Sequence, residues 1–326
     1  MLDAMSFRVT LHPSGHEFQA EGADTVLGAA LKGGGAVNYG CSNGNCGLCK
    51  ARVVSGQVEK VRHHDYRLSE AEKGQGYVLL CANAPRGDLV VEALENAEAG
   101  DIPQQQIVAR IKALEPLGEN VRLLHLQTPR TNRLRYLAGQ SAVLTAGDAS
   151  AELPIASCPC DERNLHFHVA RDARNAFARK VFDDLRVGEA VSILGPSGDF
   201  VLRAESPRPP LFVAAETGFA PIKGLIEHAL SLERGERLHL YWHAARPDGH
   251  YLDNLCRAWA DALDNFRYSP ITGGDAAGFV AGMAGELADP AACDVYLAGP
   301  AAFVEAAAKA LDERGFPAAQ RFSTIT

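Results

Sequence analysis

The chain has 326 residues, 47% of them apolar and 22% charged, which suggests a globular protein of two or three domains. Its net charge of −8 argues against nucleic acid or an anionic membrane as a partner. The sequence contains neither the roughly 20 uncharged apolar residues of a membrane span nor a signal-peptide pattern at its start. We therefore expect a cytoplasmic protein without membrane insertion. In that compartment cysteines stay reduced, and clustered cysteines indicate a metal rather than disulfides.

The first 95 residues predict a small domain of short strands around a cysteine loop. Alternating apolar residues predict a strand at 6–11 that pairs with 16–20 across Pro13-Ser14-Gly15. Further short elements are a helix at 25–31 and strands at 50–54, 77–80 and 88–93. Residues 96–103 are polar and contain glycine and proline, which predicts a linker.

The predicted secondary structure of the remaining chain changes near residue 208. Residues 104–207 are mostly of β type and predict a small antiparallel barrel. Its strands are expected at 107–114, 121–127, 142–145, 165–170 and 190–194, with one helix near 175–185. Residues 208–326 alternate strands with helices, which predicts a parallel sheet covered on both faces. The strands are expected at 211–215, 238–242 and 294–298, and the helices at 221–233, 252–264 and 301–314.

Four cysteines have the spacing of a metal site. Cys41, Cys46 and Cys49 form a C-x₄-C-x₂-C loop, and Cys81 ends a distant strand-like run. This is the ligand spacing of plant-type [2Fe–2S] clusters, whereas zinc sites usually contain two C-x-x-C pairs. We therefore favour a [2Fe–2S] cluster over a Cys₄ zinc site. Gly44 and Gly47 fit a backbone that curls closely around such a cluster.

Other candidate ligands carry weaker signals. Cys158 and Cys160 flank a proline and are interpreted as ordinary thiols rather than a reactive pair. His166 and His168 share one face of a predicted strand, but no third ligand accompanies them. Cys256 and Cys293 lie in apolar contexts and are expected in the core.

One turn of the last domain suggests a nucleotide site. After the apolar strand that begins at Pro210, Thr217 and Gly218 precede a predicted helix that opens near Pro221. Backbone amides at such a turn can bind a pyrophosphate, although any strand–helix junction has the same layout.

Taken in order, these motifs resemble a known family. The cysteine loop, the turn Gly195-Pro-Ser-Gly-Asp-Phe200, the turn Thr217-Gly-Phe-Ala-Pro221 and Ala298-Gly-Pro300 follow one another as in the ferredoxin–NADP⁺ reductase superfamily with an N-terminal plant-type ferredoxin domain. Within this superfamily, the sequence resembles the oxygenase reductases and the CDP-6-deoxy-glucoseen reductase-like proteins. The resemblance implies a multidomain α+β and α/β fold. It implies a β-grasp ferredoxin domain, a flavin-type β-barrel and an α/β nucleotide-binding domain.

The resemblance also implies a function and a set of cofactor-binding residues. Electrons would pass from NAD(P)H through FAD and the cluster to an oxygenase or another redox partner. The matching cofactor positions are Leu153, Pro154, Ile155, Ala156, Ser157, Asn175, Thr217, Gly218, Arg246, Gly299 and Pro300. NADH is slightly preferred over NADPH, because Arg246 stands beside Asp248 rather than in a basic cluster.

Five departures from the family pattern fall where flavin and nicotinamide meet. In the flavin motif R-x-Y-S, Ala151 replaces the arginine and Leu153 the tyrosine. Ala178 replaces a serine of the pyrophosphate turn, Ala298 a cysteine of the nicotinamide-side motif, and Glu216 a glycine. Thr326 stands where the family often has an aromatic residue over the flavin. One interpretation is a remodelled FAD site in which basic residues at new positions (Arg171, Arg174, Arg179, Lys180) pair with the phosphates. The alternative is a non-enzymatic electron carrier or partner-binding protein with a degenerate flavin site.

Overall fold

The computed structural model describes residues 6–22, 24–35, 37–39, 44, 47–93, 95, 102–129, 133–159, 163–203, 206–231, 237–286 and 289–326. Contacts divide the chain into two compact units, Met1–Ile107 with Thr128–Arg135, and Val108–Gln127 with Tyr136–Thr326. Helices and sheets occur in both, which confirms a mixed α and β fold. No helix in the described ranges is long and apolar enough to cross a membrane.

Between residues 6 and 93, the described part of the first unit forms seven short strands and two helices. They are β1 (Ser6–His12), β2 (Glu17–Glu21), α1 (Val26–Lys32), β3 (Lys50–Ser55), β4 (Val58–Lys60), α2 (Glu70–Gly74), β5 (Tyr77–Leu79), β6 (Asn83–Pro85) and β7 (Leu89–Glu92). Five strands form a mixed sheet in the order β2-β1-β7-β3-β5, and β4 pairs with β6 separately. The antiparallel pairing of β3 with β5 matters most for the site, because it joins the segments that carry Cys49 and Cys81.

The alternation of apolar and polar residues along β1 and β2 explains the core of this unit. Val9 and Leu11 of β1 are fully buried, and Phe18 of β2 joins them. Helix α1 begins where Thr25 accepts a hydrogen bond from the Gly28 N–H and ends at Gly33. The hairpin and the short helix predicted from the sequence are therefore present. The same apolar core contains Cys49 and Cys81.

The second unit begins with antiparallel strand pairs. Its first elements are β8 (Gln105–Pro116), β9 (Val121–Gln127), β10 (Ser141–Ala146), β11 (Ala149–Pro154), β12 (Asn164–Ala170), α3 (Ala176–Arg179) and β13 (Ala190–Ser197). A π-helical turn, Lys180–Asp184, continues α3. The sheet order is β11-β10-β13-β8-β9-β12. Five of these strands were predicted from alternating apolar and polar residues. Strand β11 was not predicted, because its small and polar residues give a weak strand signal.

The rest of the second unit is a five-stranded parallel sheet. Its elements are β14 (Pro210–Ala215), α4 (Phe219–Ser231), β15 (Leu238–Ala244), α5 (Asp253–Ala262), β16 (Phe266–Thr272), α6 (Ala276–Glu286), β17 (Asp294–Gly299), α7 (Ala301–Glu313) and β18 (Arg321–Ile325). The strand order is β16-β15-β14-β17-β18. The side chains on the two faces of the central strands belong to two separate hydrophobic clusters, one on each face of the sheet. The predicted parallel sheet is confirmed, although β16, α6 and β18 were not predicted.

The carboxyl ends of β14 and β17 meet at a glycine contact. A 3₁₀ turn, Glu216–Gly218, connects β14 to α4. A Cβ atom added to Gly218 would overlap the carbonyl of Ala298 in β17. Gly218 is therefore favoured because two backbone segments touch there and leave no space for a Cβ atom.

We predict that Gly218→Ala destabilises the second unit by about 1–3 kcal/mol, the usual cost of overpacking. Gly282→Ala is the matched control, because this glycine lies in α6 with nothing within 4 Å of an added Cβ. There alanine should stabilise the helix by about 1 kcal/mol. Urea unfolding of both variants gives the two changes, and destabilisation of equal size in both would contradict the packing explanation.

Candidate functional site

Cys49 and Cys81 form a buried pair of thiols in the first unit. Cys49 directly precedes β3 and Cys81 follows β5, and the Leu80 N–H donates to the Cys49 carbonyl. The two sulfur atoms lie 3.2 Å apart, and the residues are 3% and 1% exposed. Metal–thiolate bonds are about 2.3 Å long, so this pair can bind one metal ion. The other predicted ligands, Cys41 and Cys46, lie outside the described residues.

Two glycines hold the backbone of the cysteine loop against a neighbouring segment. Gly44 and Gly47 have φ angles of +85° and +75°. A Cβ on Gly44 would overlap His64, and a Cβ on Gly47 would overlap the ring of Tyr66. The Tyr66 N–H also donates to the Gly44 carbonyl, at 3.0 Å. Sequence reasoning anticipated the glycines but missed the packing of His64 and Tyr66, because neither residue type signals this role.

The surroundings of Cys81 favour its thiolate form. A hydrogen bond from Cys49 is the main cause that lowers the pKa of Cys81 to about 7. Burial opposes this effect, while the Gly44 N–H and the positive charge of Arg62 support it. Iron is bound by the thiolate and not by the thiol. The described half of the predicted ligand set therefore fits an iron–sulfur cluster.

The predicted flavin-contacting residues divide into an accessible and a buried group. Leu153 and Pro154 end β11 and are partly exposed, whereas Ile155, Ala156 and Ser157 are almost completely buried. The buried group makes hydrogen bonds within the chain that stabilise the fold. Its contacts are the Ile155 N–H with the Gln140 carbonyl, the Ala156 carbonyl with Lys223 Nζ, and the Ser157 hydroxyl with the Tyr136 hydroxyl.

Asn175 satisfies the helix end that matches the family's pyrophosphate turn. Its Oδ1 accepts hydrogen bonds from Phe177 N at 3.0 Å and Ala178 N at 3.1 Å. These are the N–H groups that a phosphate at this turn would need. A phosphate at this position must therefore displace an existing side-chain cap.

The basic residues proposed to replace the missing arginine all have partners within the chain. Each partner is an aromatic ring, a carboxylate or a carbonyl oxygen, at 3.0–4.2 Å. The contacts are Arg171 over Phe182, Arg174 with Asp172, Arg179 with the Ala173 carbonyl, and Lys180 with Asp148. The structure therefore offers no support for a flavin site remodelled around these four cations.

The predicted nucleotide residues lie at the carboxyl ends of the parallel strands. Gly218 and Gly299 are in close backbone contacts, since a Cβ on Gly299 would lie 2.9 Å from Ala215 Cβ. Pro300 is exposed and precedes α7. Thr217 lines a cavity at this edge of the sheet. The two glycines are thus explained by chain packing, whereas Thr217 and Arg246 line the cavity.

Glu216 has a backbone conformation that is unusual for its type. Among the described residues it is the one non-glycine residue with positive φ, at 51°. Its Oε1 accepts a hydrogen bond from Ala245 N at 2.7 Å, and its carbonyl accepts one from Trp242 Nε1 at 3.2 Å. These two bonds join the turn that follows β14 to strand β15 and to the residue directly after it. They offset the strain of a left-handed glutamate.

The cavity beside Glu216 contains more negative than positive charge. Arg246 enters it already paired with Asp248, with 3.0 Å between Nη2 and Oδ2. The complete lining is Gly118, Asn120, Val121, Glu216, Thr217, Ala245, Arg246, Asp248, Gly249 and Tyr251. One arginine therefore faces two carboxylates. This balance disfavours an additional phosphate group.

The two histidines considered as metal ligands have other roles. His168 Nδ1 lies 3.0 Å from the Tyr251 hydroxyl, and burial holds the pKa of His168 well below its usual value. Tyr251 therefore donates to a neutral His168. His166 packs edge-on against the ring of His125. The described residues contain no group of three or more histidine, cysteine or acidic side chains that could hold a metal.

Two of the remaining cysteine interpretations have clear outcomes. Cys256 and Cys293 are buried, as expected of core residues. Cys158 is disulfide-bonded, so its interpretation as an ordinary thiol is wrong. Cys160 lies outside the described residues.

Comparison with known proteins agrees with this site. Residues 9–86 match the family model of the 2Fe-2S iron-sulfur cluster binding domain, and residues 212–309 match that of the oxidoreductase NAD-binding domain. The chain is 31% identical over 311 residues to CDP-6-deoxy-L-threo-D-glycero-4-hexulose-3-dehydrase reductase of Yersinia pestis, with 93% of each chain covered. It is 26% identical to the reductase component of propane 2-monooxygenase of Mycolicibacterium smegmatis, over 98% of this chain and 97% of that protein.

Solved structures agree with these sequence relatives. The cytochrome P450 reductase GcoB of Amycolatopsis has a TM-score of 0.62 and 26% identity, with 97% of this chain and 98% of that chain covered. The ferredoxin reductase in carbazole 1,9a-dioxygenase has the same fold, with a TM-score of 0.59, 19% identity and 99% of each chain covered. The chain is thus an oxidoreductase with a [2Fe–2S] domain and an NAD-binding domain. It belongs to the family of NAD(P)H-dependent iron–sulfur flavoprotein reductases that includes the CDP-hexulose dehydrase reductase and the oxygenase reductase components.

We predict that Cys81→Ser loses most of the cluster, because a serine hydroxyl stays protonated where Cys81 would be a thiolate. Cys293→Ser is the control. It changes another buried cysteine, whose pKa burial raises to about 11, and should retain full iron. Iron per chain and the visible spectrum measure both. Full iron content in Cys81→Ser would contradict the ligand assignment.

Proposed function

We propose that this chain takes electrons from NAD(P)H and delivers them singly, through its [2Fe–2S] cluster, to a protein partner. The observation that carries the proposal is the buried Cys49–Cys81 pair, in one chain with a parallel sheet of the NAD-binding type. The proposed domains are a β-grasp ferredoxin domain (1–95), a linker (96–103), a flavin-type barrel (104–207) and an α/β nucleotide domain (208–326). Cys41 and Cys46 complete the proposed ligand set.

The flavin expected between nicotinamide and cluster is proposed to bind loosely. A flavin supplies the conversion of a two-electron hydride transfer into single-electron steps. Leu153 and Pro154 are the accessible residues that would lie against its ring. Asn175 occupies the N–H groups that would receive its phosphates. FAD would therefore compete with a hydrogen bond that the chain already makes, and its affinity would be low.

NADH is the proposed reductant, with NADPH disfavoured by the charge of the cavity. Asp248 neutralises Arg246, the cation that would otherwise attract a 2′-phosphate. The Glu216 carboxylate adds a negative charge at the same edge of the sheet. Carboxylates accept hydrogen bonds from ribose hydroxyls and repel phosphate, so Thr217, Arg246 and their neighbours suit the unphosphorylated ribose.

The proposed partner is an oxygenase component or another redox protein that approaches the cluster side of the first unit. Leu48 precedes Cys49 and is 51% exposed. An apolar side chain at this position suits a transient protein contact, which shortens the path for an electron. The relatives named as reductase components of propane and phenol monooxygenases support this class of partner.

A second candidate is an electron carrier that does not use NAD(P)H. The internal pairing of Asn175 and of the four basic residues favours it, since these groups would otherwise bind flavin phosphates. Both candidates share the cluster, and they differ in whether added FAD connects it to NADH.

We predict that NADH bleaches the cluster absorption only when FAD is present. In flavin-stripped protein, NADH should have no effect, because a hydride cannot enter a one-electron cluster directly. Addition of excess FAD should restore bleaching in proportion to the FAD bound. Anaerobic spectra of stripped and FAD-supplemented protein measure this.

Dithionite provides the control, because it reduces the cluster without flavin or nucleotide. Bleaching by NADH to the same extent without FAD would reject the proposed relay. Bleaching by dithionite but never by NADH, even with excess FAD, would establish the carrier instead.

We predict that Asn175→Gly tightens FAD binding by about tenfold, the scale of one charge-assisted hydrogen bond. Glycine leaves the Phe177 and Ala178 N–H groups available and replaces an asparagine cap at a cost of only a few tenths of a kcal/mol. Asn175→Asp is the matched control, since it keeps the cap and adds a negative charge, and it should weaken binding. Calorimetric titration of flavin-free protein with FAD tests both. Equal affinities would show that this turn does not contact the flavin phosphates.

A further inference from the structure

Residues 60–67 form a segment that packs directly against the regions carrying the predicted cluster ligands. The Arg62 N–H donates to the Ala82 carbonyl at 3.2 Å, and Ala82 directly follows the last of the four ligand cysteines. Further along, the Tyr66 N–H donates to the Gly44 carbonyl at 3.0 Å, within the cysteine loop. The segment therefore lies beside both parts of the ligand set.

This segment carries more positive than negative charge. It reads Lys-Val-Arg-His-His-Asp-Tyr-Arg, so three permanent cations accompany one acid, in a chain whose net charge is −8. Lys60, Arg62 and Arg67 are exposed. The acid, Asp65, lies beside His63, with 3.8 Å between Oδ1 and Nδ1. The segment is thus a positive patch on a chain that is negative as a whole.

Five other lysine and arginine side chains of the first unit are paired with carboxylates. The pairs are Lys32 with Asp24, Lys50 with Glu72, Arg52 with Glu92, Lys73 with Glu70, and Arg86 with Glu59. Lys60 and Arg67, in contrast, form no ion pair with another described residue. A paired charge is largely cancelled by its neighbour, whereas these two charges remain available to attract a partner.

Exposed apolar side chains accompany these charges. Leu48, which directly precedes Cys49, is 51% exposed, and Val61, between Lys60 and Arg62, is 44% exposed. Apolar contact area with polar and charged groups around it is the composition of a protein–protein interface. A small anion would use the charges alone, so the exposed Leu48 and Val61 favour a protein as the partner.

Screening by salt decides whether this patch or the net charge of the chain governs an approaching partner. The Debye length is about 8 Å at physiological ionic strength, and exposed charges farther apart than this interact weakly. The charges of residues 60–67 lie beside the ligand regions, whereas most of the negative charge of the chain lies elsewhere in the sequence. A partner that approaches the cluster therefore meets a positive surface.

We propose that residues 60–67, together with Leu48, form the docking surface for an electron-accepting protein whose own contact surface is acidic. One electron passes from the reduced cluster to the redox centre of the partner, without transfer of a proton or a chemical group. The proposal rests on the proposed function, and it adds the place where the partner docks and the charge that the partner carries there. Complementary charges of this kind act mainly on the rate of association.

The test measures how fast two proteins of opposite charge reoxidise the cluster of the full-length protein, after reduction with dithionite and removal of its excess. The acceptors are plastocyanin, an acidic copper protein, and cytochrome c, a basic haem protein. At low ionic strength we expect Arg67→Gln to slow reoxidation by plastocyanin about threefold, and Lys60→Gln combined with Arg67→Gln about tenfold, because each change removes one attractive charge at the contact. Reoxidation by cytochrome c should not be slowed by either variant.

Arg8→Gln is the matched control, because Arg8 is an exposed arginine of β1 in the same unit and its loss changes the net charge by the same amount. It should leave the rate with plastocyanin unchanged. Arg67→Lys keeps the positive charge and should keep the rate. Iron per chain shows whether each variant retains its cluster, and if the double variant loses iron, Arg67→Gln and Arg67→Lys carry the test.

Equal rates of reoxidation by plastocyanin in Arg67→Gln and Arg8→Gln would overturn the proposal. Slowing of equal size with both acceptors would also overturn it, because the loss would then not depend on the charge of the partner. Absence of a cluster signal in the unchanged protein, or a reduced cluster that passes no electron to either acceptor, would instead reject the proposed function. The two failures are therefore distinguishable.

Discussion

Two sulfur atoms held 3.2 Å apart in an apolar core are the contact on which the chemistry of this protein depends. The pairing of β3 with β5 brings them together, because Cys49 precedes one strand and Cys81 follows the other. Buried thiolates are unfavourable unless a metal or hydrogen-bond donors share their charge. The Gly44 N–H supplies one such donor. The apolar core of the first unit thus contains two of the four proposed cluster ligands.

The two phosphate-type turns of the second unit meet the same physical requirement in an unusual way. Backbone N–H groups at a turn need acceptors, and a bound phosphate is one means of supplying them. Here Asn175 supplies a side-chain oxygen to the turn before α3, and Glu216 supplies one to Ala245 N after β15. A phosphate at the turn before α3 would have to replace the hydrogen bonds of Asn175, in line with the proposed loose binding of FAD.

The cavity at the strand ends of the second unit contains more negative than positive charge. Glu216 and Asp248 line it, and Arg246 is the partner of Asp248. This balance disfavours an added phosphate group, which is consistent with the proposed use of NADH.

Much of the fold and of the candidate cluster site could be predicted from the sequence, because both depend on the spacing of residues close together in the chain. The interval from Cys41 to Cys49, the strand ending at Cys81, and the alternation of strands with helices after residue 208 predicted the cluster domain and the parallel sheet. The weak strand β11 and the edge strands β16 and β18 escaped prediction, because pairing with neighbours stabilises them more than their own composition does. Tertiary structure alone decided which polar groups are satisfied. It capped α3 with Asn175, paired Arg246 with Asp248, and brought Arg135 to Asn38, 97 residues away in the chain. Such contacts depend on three-dimensional proximity, which residue spacing along the chain does not encode.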